Sequence, residues 1–171
     1  MANIDQQLAE SFIFANKENY TSVYNQLIEE AKKLNEENFQ IFFNFSLKHS
    51  TWEKYIIERK KIDPEYTPIE KKPGIIDFLF KENRNTETET SEKIEQNTIC
   101  EINLFFAEKY EFKKKSDFIN HIKELYNNAS HLNRFSYWVL INCIFSKIDW
   151  IKYKTERKKI NPSFHVSVFD E

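Results

Sequence analysis

Apolar residues recur along this chain with a helical period, and the pattern is written twice. Tyr20, Val23, Tyr24, Leu27, Ile28, Ala31 and Leu34 are spaced three and four apart, which puts them on one face of a helix over about 20–34. Phe118, Ile122, Leu125, Tyr126 and Ala129 repeat that stripe. A shorter stripe precedes each: Leu8, Phe12 and Ala15 in front, and, more weakly, Phe106, Tyr110 and Lys113 behind. After each long stripe comes a segment that is apolar nearly all round. The first contains Phe39, Ile41, Phe42, Phe43, Phe45 and Leu47; the second contains Phe135, Tyr137, Trp138, Val139, Leu140, Ile141, Ile144 and Phe145. Such a helix has no face to spare for water and belongs at the centre of the packing.

Short polar residues mark the boundaries. Asn35 and Asn133 stand where a helix N-cap should be, with Leu34 or Leu132 before the cap and Phe39 or Tyr137 four residues after it, the arrangement of a hydrophobic staple. Thr51 and Asp149 cap a fourth helix opening at Trp52 and Trp150. Asp63-Pro64 and Asn161-Pro162 end that helix, because proline pushes the preceding residue out of the α region. Two extended pieces follow, 74–80 and 164–169; they can pair as a minor β ribbon, or each can cover an exposed seam.

The two patterns superimpose at an offset of 98. Residues 5–66 align with 103–164 without a gap, and 18 of the 62 positions are identical. Unrelated sequences of average usage would match at roughly four. The best-kept stretch runs from Trp52 to Pro64 and returns from Trp150 to Pro162. The expected fold is therefore all-α, an internally duplicated helical bundle with three to four helices per copy. A wholly apolar central helix cannot stay wet, so the copies should pack about a pseudo-two-fold axis and share one core. The organisation is repeat 1 over 1–66, a connector over 67–102, and repeat 2 over 103–171. The connector holds Pro68, Pro73, Gly74 and the polar run 83–92. Its apolar stretch Ile75, Ile76, Phe78, Leu79 and Phe80 reads either as core cover or as a docking segment.

Composition agrees with helices. A single Gly in 171 residues leaves little for tight hairpins or phosphate-cradling loops, while 16 Phe, 8 Tyr and 3 Trp supply apolar area for a core. The net charge of -2 and pI near 6.1 exclude a polycation, so any attraction to nucleic acid must be local. Cys100 and Cys143 offer neither a disulfide framework nor a zinc spacing, which suits a reducing compartment. The N-terminal residues lack a basic stretch followed by an apolar one, and no run reaches the roughly 18 apolar residues of a membrane span. A cytoplasmic location is expected, with no membrane partner.

Candidate chemistry is sparse. His49, His121, His131 and His165 do not recur at the offset and show no paired spacing on a helix, so no metal site and no cofactor is expected. No Gly-rich loop or nucleophile elbow is present, and the chain reads as no enzyme. What does recur is the face of the fourth helix: Trp52, Tyr55, Arg59 and Lys60, then Trp150, Tyr153, Arg157 and Lys158. Trp, Tyr and Arg are the types enriched at protein–protein hot spots, and with the neighbouring lysines they can also stack on bases and hold phosphate. The other role for such a stripe is core, with the charged residues solvated or paired to Glu58 and Glu156. The expected function is non-catalytic binding of another protein, as an inhibitor, immunity-type or adaptor protein. The alternative is nucleic-acid binding through the paired Glu-Arg-Lys-Lys helices.

Overall fold

Short polar side chains open all but one of the helices whose first turn is described in the computed structural model, which describes residues 3–69 and 101–167. The extended piece expected at 74–80, Cys100 and residues 168–171 lie outside the described residues. The chain forms α1 (Ile4–Ser11), α2 (Lys17–Ala31), α3 (Glu36–Phe45), a 3-10 turn (Leu47–His49) and α4 (Trp52–Ile62). A fifth helix, α5, covers 101–109. It is followed by α6 (Lys115–Ala129), α7 (Arg134–Cys143), a second 3-10 turn (Phe145–Lys147) and α8 (Trp150–Ile160). The bounds of α2, α3, the first turn and α4 return at an offset of 98 in α6, α7, the second turn and α8. The described residues are all-helical, and no strand occurs among them; residues 164–167 are without regular structure.

The expected caps are in place. Asn35 and Asn133 accept from the backbone N–H of Asn38 and Ser136, and Thr51 and Asp149 from that of Lys54 and Lys152. The apolar stripes mispredicted three boundaries, one of them the end of the helix expected over 20–34, which stops at Ala31. The helix expected over 20–34 begins three residues earlier, because Asn16 caps it through the N–H of Asn19. The first stripe overruns its helix: α1 stops at Ser11, and Phe12 is extended at φ -137 and ψ 147. Residues 12–15 are held out of the helix by hydrogen bonds from Tyr55 on α4 and from Tyr66 and Ile69 after it, so tertiary contacts override the local period. At the start of α6, Lys114 occupies the cap position and makes no side-chain cap bond. Replacing Lys114 by Asn should raise stability by about 0.5–1 kcal/mol, since it supplies the missing acceptor and removes a positive charge from a helix N-terminus. A higher urea midpoint with unchanged slope is the expected reading.

The core is one connected cluster drawn from both stretches of chain. Leu8, Ile41, Phe42, Leu47 and Tyr55 are buried in it, as are Phe106, Val139, Leu140, Ile144 and Tyr153. The central helices α3 and α7 bury Phe42 and Leu140 completely, but Phe39, Phe43 and Phe45 are half-buried and Trp138 is 42% exposed, so neither helix is covered on every side.

Contacts between the front and back stretches are specific. Asn38 Nδ2, fully buried, donates to Leu125 O at 2.9 Å. Ser136 stands at the corresponding place on α7; it is buried, and its shorter side chain leaves the hydroxyl without a partner. Phe12 meets Phe135 edge to face at 5.0 Å, and Phe45 meets Phe105 at 5.8 Å. His131 Nε2 lies 2.9 Å from Lys33 O, so that nitrogen carries the proton, because a carbonyl can only accept.

Candidate functional site

The face of α4 and α8 chosen from the sequence turns mostly inward. Tyr55 is fully buried; its hydroxyl accepts the N–H of Phe14 at 3.0 Å and donates to Phe12 O at 3.1 Å. Tyr153 does the same for Phe112 and Tyr110, at 2.7 and 3.0 Å. Each tyrosine thereby satisfies two backbone groups of a segment without regular structure. Arg59 Nη1 donates to Ala9 O and Arg157 Nη1 to Ala107 O, both at 3.0 Å, placing a cation on carbonyls in the last turns of α1 and α5. Arg157 also pairs with Glu111, and Arg59 Nη2 lies 3.6 Å from Asp63. Trp52 stacks on Tyr55 and Trp150 on Tyr153, at 5.3 and 5.4 Å. Trp150 is buried and Trp52 half-buried, while Lys60 and Lys158 face solvent. Glu58 and Glu156 pair with Lys61 and Lys159, not with the arginines. Of the eight residues, the two tyrosines and two arginines are thus engaged in holding the fold together.

A different place exposes aromatic surface. Trp138 on α7 is 42% exposed, and with Arg134 and Phe135 it lines a depression of about 330 Å³. Its floor connects to the front stretch through the Phe12–Phe135 contact. The offset of 98 pairs these three with Glu36, Glu37 and Gln40 on α3. That pairing was the signal the sequence offered: polar residues stand at all three counterpart positions, although polarity alone does not decide exposure, since Asn38 on the same helix is buried. Around Glu37 the chemistry differs. Its carboxylate accepts from Tyr110 Oη at 2.7 Å, with Lys109 Nζ and His121 Nε2 each 3.4 Å away. Burial, together with that carboxylate, drives the Tyr110 phenol well above its ordinary pKa.

A second groove, of about 760 Å³, is lined among the described residues by Asn16, Lys17, Thr21, Asn25, Trp52 and Ile69, with others. Here Trp52, Pro68 and Ile69 form the apolar side, and α2 with its cap Asn16 supplies the polar one.

The sequence also did not mark out a buried polar cluster. Asp5 on α1 accepts from Ser50 Oγ at 2.5 Å, and Ser50 Oγ is 2.8 Å from Tyr20 Oη. All three residues are buried, and burial pushes the Asp5 carboxyl up to about 7, against the opposing effects of the Ser50 hydrogen bond and the Lys54 ammonium. None of the three lines either of the two cavities. The corresponding residues behind are Asn103, Ile148 and Phe118, where no carboxylate needs neutralising.

Among the described residues no group of three His, Cys, Asp or Glu side chains is placed to hold a metal ion, and no helix is long and apolar enough to cross a membrane. The described residues form an all-helical fold on which Trp138 and Arg134 are exposed beside a half-buried Phe135. No protein family, curated protein or solved structure matches the chain.

Proposed function

We propose that this is a non-catalytic, cytoplasmic binding protein of the inhibitor, immunity or adaptor kind, built as a tandem duplicate whose copies pack about a pseudo-two-fold axis. The observation that carries the binding reading is the exposed Trp138 beside Arg134 and Phe135. Trp and Arg around a shallow depression are the types and shape that dominate binding energy when a partner excludes water from them.

Reciprocal contacts support the duplicate arrangement. In an isologous pair, a contact between positions i and j is matched by one between j and i. Phe12 packs on Phe135, and their counterparts Tyr110 and Glu37 are hydrogen-bonded to one another. His131 and Lys33, which are themselves counterparts at the offset, meet as residues beside a two-fold axis do. One of the paired surfaces has become acidic and polar and the other aromatic and basic, so a partner would meet the second and not the first.

Affinity capture from the native host with wild-type and Trp138→Ala protein tests the binding reading. Losing the indole should weaken the captured complex by about 2 kcal/mol, roughly thirtyfold, while the melting temperature falls by no more than a few degrees because the residue is 42% exposed. A partner held equally by both proteins would place the binding surface elsewhere.

A further inference from the structure

We propose that Asp5 makes the seating of α1 sensitive to pH, with the helix firmly docked while the carboxyl is protonated and loosened once it ionises. Asp5 lies in the first turn of α1 and points into the fold, only 4% exposed. Its neighbours are ill suited to a charge. From α2 come the phenols of Tyr20 and Tyr24, from the segment before α4 the Ser50 hydroxyl and the Thr51 backbone, and from α4 Lys54 set against Glu58. Lys54 Nζ donates to His49 O at 2.9 Å and favours the carboxylate through its charge. One neutral hydroxyl at 2.5 Å is the side-chain donor to the carboxylate. Burying an anion on so little support is unfavourable, and the shortest route to water is for the first turn of α1 to lift.

The sign follows from linkage. The carboxyl titrates near 7 when docked and near 3.8 when exposed, so the docked form binds more protons throughout the interval between. The opening constant of α1 therefore rises about tenfold per pH unit from about 4 to 7 and levels off above that. The consequence reaches Phe12, the residue following α1, whose ring stands on Phe135 beside Trp138. The patch is thus best ordered under mildly acidic conditions. That last step rests on the binding reading; the titration and the helix opening do not.

Carbon-13 NMR of the aspartate carboxyls, with amide hydrogen exchange of α1 and α6 at pH 5, 6 and 7, tests the device on the whole chain. One carboxyl should titrate near 7, and protection of α1, corrected for intrinsic exchange, should fall about tenfold per pH unit while α6 keeps its own. In Asp5→Asn the dependence should vanish, and in Ser50→Ala the titration should move further up. Should Asp5 titrate near the ordinary aspartate value, should α1 protection stay flat in the wild type, or should α6 lose protection in step with α1, the device does not exist. The wild-type titration decides the matter even if a variant fails to fold.

Discussion

Tyr55→Phe will destabilise the protein by about 2–4 kcal/mol although it removes a single oxygen atom. The hydroxyl is fully buried and serves two backbone groups at once, accepting from Phe14 N–H and donating to Phe12 O. Without it both groups stay buried with one partner fewer, and each orphan costs about 1–3 kcal/mol. The ring itself remains packed among Phe14, Trp52 and Tyr20, at 4.8 to 5.8 Å, so no cavity contributes. Tyr153→Phe should lose a similar amount, through Phe112 and Tyr110. Chemical denaturation of both variants gives the measurement. A loss below about 0.5 kcal/mol would mean that water reaches these segments and that the tyrosines do not hold them.

Phe42→Ala should cost more, about 3–5 kcal/mol, because a fully buried ring is replaced by a cavity that the surrounding helices can only partly close. Leu140→Ala should cost about 2–5 kcal/mol for the same reason. The informative quantity is the shape of the transition. One connected core drawn from both stretches predicts that each variant still unfolds in a single cooperative step at a lower temperature. Two separate cores would instead leave one melting step untouched in each variant, which calorimetry would resolve.

Much of the local architecture was legible without coordinates. The caps at Asn35, Asn133, Thr51 and Asp149, the stops before Pro64 and Pro162, and the burial of Phe42 and Leu140 all follow from short-range rules. These rules involve residues within one helical turn of each other, or the solubility of a whole segment, and a sequence contains that information directly. The end of α1 was not legible. Its stripe runs on through Phe12 and Ala15, and the hydroxyl groups of Tyr55 and Tyr66, with the backbone N–H of Ile69, hold 12–15 out of the helix.

The candidate site divides along the same line. That Trp52, Tyr55, Arg59 and their counterparts share one helix face is a matter of spacing. Whether the face looks inward or outward depends on what stands opposite, and α1 and α5 present carbonyls there that the arginines satisfy. Likewise Trp138 sits in a run whose apolarity argues for burial, yet it is 42% exposed. Asp5 carries nothing in its neighbours along the chain to mark it as buried; Ser50 reaches it from 45 residues away and is itself bonded by Tyr20. Sequence alone determined the helices, their caps and the doubled pattern, because those are set by neighbours along the chain. Tertiary structure decided which polar groups are internal and which aromatic ones remain exposed, because burial depends on partners that spacing along the chain does not specify.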